Sequence, residues 1–240
     1  MSLNFRHTFR YAARLATACL LLTPLSAANS AGLQVEPFKA VYSSEWDLGF
    51  SLSGEAVRQL QQTGNGWKLS LDASAMVASL SESSKLRFTS AGVEPQSYRY
   101  KRKVLGKKRT SELEFNWQNH QASSQVSDDP WQLDIPAGTL DKLSYQLQLR
   151  LDLINDRETL EYQVADNGKL KTYRFVREGE EEVTTELGTF NAVKVRRDRG
   201  PDSKRQTWLW FAPQLNYQLV RLLQTETDGK RYALVIKELN

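Results

Sequence analysis

The stretch Thr139 to Asn155, TLDKLSYQLQLRLDLIN, decides how the rest of the chain must fold. Leu140, Leu143, Leu147, Leu151 and Ile154 recur at helical spacing. Leu143, Tyr145, Leu147, Leu149, Leu151 and Leu153 also alternate, as in a strand. Three features favour the helix: the run is long, it has no β-branched residue before Ile154, and Leu, Gln, Arg and Lys are good helix formers. Thr139 is placed to cap the N-terminus, and Asp141 suits the positive end of the helix dipole. A helix over about 139–154 would carry apolar stripes on two sides. It therefore has to be buried on both, for example inside the concavity of a sheet.

Outward from this segment the chain reads as short alternating strands. Phe38, Ala40 and Tyr42 alternate towards Trp46, and Trp67, Leu69 and Leu71 follow Gly64-Asn65-Gly66, a strong hairpin signal. Leu113, Phe115 and Trp117 precede a turn holding His120. Leu160, Tyr162 and Val164 lead into Asp166-Asn167-Gly168, another hairpin signal, and Tyr173 and Phe175 follow. The last strand carries Tyr232, Leu234 and Ile236 after Asp228-Gly229. This spacing predicts a mainly β, single-domain protein: an antiparallel curved sheet or open β-barrel wrapping one helix.

The N-terminus predicts export. Arg6, Arg10 and Arg14, with no acidic neighbour, precede the apolar run Leu15 to Leu25 and the small residues Ser26, Ala27 and Ala28. The expected organisation is a signal peptide over 1–28 and one β-rich periplasmic domain over 29–240. The apolar run is too short to span a bilayer, so no transmembrane segment is expected in the mature chain. Cys19 is followed by Leu20, Leu21 and Leu22, so it reads as part of the apolar region and not as a lipidation site. Of 32 basic and 28 acidic residues, the signal removes three arginines, leaving 29 against 28. A charge that close to balance gives no global case for nucleic-acid binding, and no nucleic-acid partner is expected. The mature chain also loses its only cysteine, and with it disulfide and thiolate chemistry.

No catalytic signature is present. His120 is the single histidine beyond the signal, too few for the common triads or zinc sites. There is no phosphate loop or dinucleotide fingerprint. No catalytic residue, metal ligand or cofactor is therefore expected. The visible acidic clusters are Asp128-Asp129 and Glu178 to Glu182, the latter around Gly179 and resembling a hairpin tip. They keep open a carboxylate-dependent hydrolase.

The densest charge feature is Arg99 to Lys103 and Lys107 to Arg109, bracketing the turn Val104-Leu105-Gly106. Arg99, Lys101 and Lys103 share one strand face, Tyr100 and Arg102 the other. With Lys107 they are the candidate contacts to an anionic surface. The plainer reading is a charged outer face that blocks edge pairing and aids solubility. Trp208 and Trp210 share a face and form either a core ridge or a cavity wall.

Several segments together resemble the bacterial family called domain of unknown function 3108. They are Phe38-Lys39-Ala40-Val41-Tyr42, the stretch Leu140 to Arg150, Leu187 to Val195, Trp208-Leu209-Trp210-Phe211-Ala212-Pro213 and the closing hairpin through Asp228-Gly229. The resemblance spans about 36–240. It implies an exported, periplasmic protein of curved antiparallel architecture and no established activity. The stretch Tyr217-Gln218-Leu219-Val220 lacks the proline common there in the family.

The leading expectation is a non-enzymatic periplasmic or envelope accessory protein, binding an apolar or amphipathic ligand in the concave face. Leu143, Leu147, Leu151, Trp208 and Trp210 would line that space, with Arg150 facing an anionic head or an internal carboxylate. The same residues would otherwise simply form the core. The alternative is an interaction module for envelope proteins or for anionic lipid or lipopolysaccharide, using the basic hairpin.

Overall fold

A computed structural model describes residues 35–124 and 130–240. The expected signal peptide over 1–28 and the pair Asp128-Asp129 lie outside the described residues. The strands are β1 (Phe38–Asp47), β2 (Ser51–Thr63), β3 (Gly66–Ala75), β4 (Ala78–Thr89), β5 (Gly92–Val104), β6 (Lys107–Asn116), β7 (Gln121–Ser124) and β8 (Trp131–Asp134). After helix α1 (Ser144–Ile154) come β9 (Leu160–Asp166), β10 (Lys169–Thr185), β11 (Gly188–Asp198), β12 (Gln206–Ala212), β13 (Gln218–Thr225) and β14 (Arg231–Leu239).

All of them form one antiparallel sheet of 14 strands, in the order β8-β7-β6-β5-β4-β3-β2-β1-β14-β13-β12-β11-β10-β9. Two meanders are thus joined at the centre by β1 and β14, where Asp47 pairs with Arg231. Helix α1 links the two outer strands, and the sheet is curved and open. The edges are blunted. Strand β8 has only four residues. Leu140 forms an isolated parallel bridge to Val164 on β9, its N–H donating to Gln163 O at 2.8 Å. The Trp131 ring lies against Gly168, close to where a Cβ on that glycine would sit.

The helix lies where its two apolar stripes require. Tyr145, Leu147, Leu149, Leu151 and Leu153 are all buried. Tyr145 packs on Tyr173 and Phe175 at ring separations of 5.2 and 5.5 Å. Gln148 Oε1 accepts from Val93 N at 2.8 Å, and Tyr162 donates to Asp152 Oδ2 at 2.9 Å. Strands β5, β9 and β10 therefore all meet one helix.

Three local expectations change. The helix starts at Ser144, not near 139. Its N-terminus is capped by Asp141, not Thr139. Asp141 Oδ1 accepts from the N–H groups of Leu143 (2.8 Å) and Ser144 (2.7 Å), and Ser144 Oγ accepts in return from Asp141 N (2.9 Å). Thr139 instead donates to Pro136 O at 2.8 Å, closing the preceding turn. Finally, Glu178 to Glu182 are no hairpin tip. They run through the 17-residue β10, and Gly179, at φ +102°, sits at a bulge where the register against β11 shifts.

Candidate functional site

Side chains of directly paired residues share a sheet face, so the register draws the inner wall. One row runs Ala40, Arg58, Leu71, Glu82, Tyr100 and Ser111 from β1 to β6. The next is more apolar: Phe38, Leu60, Leu69, Ser84, Tyr98 and Leu113. Polar groups thus enter the interior beside the N-terminus of α1. Tyr98 donates to Glu82 Oε1 at 2.5 Å, and Ser84 donates to Asp141 Oδ2 at 2.6 Å. Glu82 is 8% exposed. Burial pushes its carboxyl up to about 7, against the pull of the Tyr98 hydroxyl. Burial also raises Asp141, although three donors oppose it.

Deeper along α1, two guanidiniums flank one ring. Arg58 and Arg150 lie 5.9 and 5.3 Å from the centre of Phe38. Arg150 Nε donates to Asn216 O at 3.0 Å, and no described carboxylate forms an ion pair with it. Its expected partner, an internal acid, is thus replaced by a backbone carbonyl and an aromatic face. Burial first, then Arg58, lowers its pKa to about 10. Arg58 is only 2% exposed, and its Nε has no hydrogen-bond partner among the described residues.

One end of the sheet, here called the upper rim, carries the β1–β2, β3–β4, β5–β6, β9–β10, β11–β12 and β13–β14 turns. Its apolar content is exposed. Met76 is 90%, Leu105 61% and Phe50 45% exposed. The β3–β4 and β5–β6 tips are tied together, Leu105 N donating to Val77 O at 3.0 Å. Between them lies an open cleft of about 510 Å³, lined by Met76, Val77, Lys103 and Leu105 among others. Arg99, Lys101 and Lys103 point outwards while Tyr100 and Arg102 are half-buried, as the alternation requires. Arg102 crosses the concavity to donate to the Tyr232 hydroxyl at 2.9 Å. Arg99 meets Glu112 and Glu114 at 3.4 and 3.6 Å. Lys101, Lys103, Lys107, Lys108 and Arg109 form no ion pair among the described residues. Strands β5 and β6 lie inside the sheet order, so these cations guard no free edge.

Of the residues expected to line a ligand space, Leu143, Leu147, Leu151 and Trp210 all belong to the buried core, and Trp208 packs against it. Trp208 and Trp210 pair with Arg196 and Lys194 and so face away from Leu209, on the other side of β12. Lys194 and Arg221 sit 5.4 and 4.7 Å from the centre of the Trp210 ring. The acids of β10 are engaged on the same outer face, Glu178 with Arg196 at 2.5 Å and Glu181 with Lys194 at 2.9 Å. What the sequence reading missed is the inner polar row, because Arg58, Glu82 and Ser84 alternate with other polar residues and resemble an exposed strand face.

The fold and site define a class: an open, barrel-like antiparallel sheet around one helix, with a largely apolar interior that holds a few buried polar groups, and a cationic and apolar rim. The chain belongs to the protein family of unknown function DUF3108, whose sequence profile matches residues 40–235. No curated protein matches it. Among solved structures it is similar to a β-barrel-like protein of domain of unknown function DUF1849 from Brucella abortus. The TM-score is 0.57 at 11% identity, over 85% of this chain and 97% of that one. It also aligns with a protein provisionally described as a lipoprotein from Parabacteroides distasonis, at TM-score 0.34 and 14% identity, over 86% of this chain and 96% of that one. A DUF1329 family protein from Desulfovibrio piger gives TM-score 0.30 at 9% identity, over 86% of both chains. Only the first likeness is close enough to support the fold, and none bears on activity.

Proposed function

We propose that this protein is a non-enzymatic accessory protein of the bacterial envelope that docks on an anionic lipid surface through its upper rim. In this reading residues 1–28 direct export and are removed, and the β domain acts in the periplasm. The observation that carries the proposal is Leu105. It is 61% exposed at the tip of the basic hairpin and holds φ +48°, a conformation that disfavours leucine. Neither hydration nor backbone preference selects a leucine there, whereas insertion among lipid headgroups does. Met76, Val77 and Phe50 extend the apolar contact along the same rim. The lysines around it, which form no ion pair among the described residues, match a negative surface, each worth roughly 1 kcal/mol near such a membrane. The concave face, by contrast, is occupied by α1 and its leucines, so the geometry favours the rim over an interior ligand space.

The test is co-sedimentation with vesicles of phosphatidylglycerol and phosphatidylcholine, against phosphatidylcholine alone. Binding is expected only to the anionic vesicles and should weaken as salt rises. Changing Lys101, Lys103 and Lys107 together to Glu should lower it by about 100-fold or more. Equal sedimentation with neutral vesicles, or an unaffected triple variant, overturns the docking. N-terminal sequencing of the periplasmic protein tests export, with Asn29 as the expected first residue.

A further inference from the structure

A second cationic group lies on the inner face of the same rim, several strands away from the basic hairpin. Arg197 pairs with Phe175 and stacks on Tyr173, its guanidinium carbon 3.2 Å from the ring centre. Arg199 Nη2 donates to Thr207 Oγ1 at 3.1 Å. Thr207 donates on to Gln224 Oε1 at 3.4 Å, Gln224 donates to Glu226 Oε1 at 2.6 Å, and Arg205 Nη2 meets the same oxygen at 2.8 Å. One hydrogen-bonded chain therefore holds Arg199 and Arg205, while an aromatic ring fixes Arg197. Each guanidinium keeps a donor unused: Arg197 Nε, Arg199 Nη1 and Arg205 Nε are buried without a partner among the described residues. Glu226 is the single described carboxylate that forms an ion pair with any of the three.

Three preorganised forks with three unmatched donors and one acid make an arrangement short of acceptors and of negative charge. Such groups fit an oxyanion bearing several acceptor oxygens, which arginine recognises through paired N–H donors. We propose that Arg197, Arg199 and Arg205 form a binding site for a phosphate-class anion, either a free phosphate or the phosphate of a lipid headgroup. Electrostatics agree. Burial, followed by repulsion from Arg197 and Arg205, lowers Arg199 to about 10, the direction that a bound anion would oppose. All three residues are half-buried, so their side chains still reach solvent at the rim while the unused donors themselves are covered. The site is independent of the hairpin-tip docking, since it uses other strands and other residues.

The experiment is thermal unfolding of the purified protein with inorganic pyrophosphate, against sodium chloride at equal ionic strength. At about 100 times Kd, the midpoint should rise by about 5–10 °C. Arg199→Gln should abolish that rise. It should also unfold at a slightly higher temperature than the parent without anion, because it removes one of three repelling charges. A purely structural arginine would do the opposite. The triple Lys101, Lys103 and Lys107 to Glu variant should keep the full response, which separates this site from the docking surface. If only phosphatidylglycerol vesicles raise the midpoint, and Arg199→Gln loses that rise, the source is a lipid headgroup. No response to either anion, or an Arg199→Gln variant that responds as the parent does, overturns the site.

Discussion

Two hairpins of this sheet use the same two-residue turn with different residues. Between β9 and β10 it is Asn167-Gly168, at φ +51° and +69°. Between β5 and β6 it is Leu105-Gly106, at φ +48° and +81°. Asn-Gly is what positive φ at both positions selects, since asparagine tolerates the left-handed region and glycine has no Cβ to clash. The first hairpin is also structural: Gly168 receives the Trp131 ring, which brings the β8 edge near the β9–β10 turn. At the second, a Cβ on Gly106 would meet nothing within 4 Å, and the leucine side chain stands largely in solvent, only its backbone N–H being tied to Val77 O. One turn obeys the local rule and joins parts of the fold. The other breaks the rule at a side chain that packs into no core, and we place the docking surface there.

The largest effect expected from the same logic lies deeper, at Glu82, where an acid stands in the interior. Its folded pKa of about 7 lies above the ordinary 4.5. The folded state therefore holds a proton that the unfolded chain releases between those values. Glu82's contribution is fully present below pH 4.5 and is lost as pH rises through 7. Glu82→Gln keeps an acceptor for Tyr98 and removes the charge. Urea unfolding at pH 8.5 should find the variant more stable by about 2–3 kcal/mol, and at pH 5 by less than about 1 kcal/mol. A constant difference across this range would show that the buried acid is not what the pH profile reads.

Next in size are the glycines of the two turns. Ala at either position meets an unfavourable φ, costing about 1 kcal/mol. At Gly168 the new Cβ would also come within 3.1 Å of Trp131 Cγ, whereas at Gly106 nothing lies within 4 Å. Gly168→Ala should therefore cost about 2 kcal/mol and Gly106→Ala about 1 kcal/mol in denaturant unfolding. Equal costs would mean that the Trp131 contact carries no weight and the two turns differ only in sequence.

Much of this was legible before the structure. Both hairpins, the strand faces of Arg99 to Lys103 and the helix buried on two sides follow from period and turn chemistry. The misread details have physical causes. Thr139 and Asp141 both suit a helix start, and only three-dimensional reach shows which carboxyl or hydroxyl meets the free N–H groups. Gly179 marks a bulge as readily as a turn, because both need positive φ. The face of Trp208 and Trp210 was open because alternation fixes that they lie together, not on which side. Arg197, Arg199 and Arg205 carry no sequence signal as a group, since the closeness of Arg205 to the others depends on how the β11–β12 connection folds back.

The smallest change in stability carries the sharpest comparison. Leu105→Asn would give the β5–β6 turn the same Asn-Gly pair that the β9–β10 turn already has. An exposed leucine at φ +48° contributes no core packing, and asparagine accepts that conformation more readily. The variant should therefore be more stable by about 0.5 kcal/mol, with the fold unchanged. In the same samples, binding to phosphatidylglycerol vesicles should fall by about 3- to 10-fold, as expected for removing one apolar side chain from a membrane contact. The reciprocal Asn167→Leu should lose about 0.5–1 kcal/mol and leave vesicle binding unchanged. Stability gained and binding lost at one turn, with the reverse at its twin, is the signature of a residue retained for contact. If Leu105→Asn binds vesicles as well as the parent, leucine at that tip has no role in docking and the rim reading rests on charge alone.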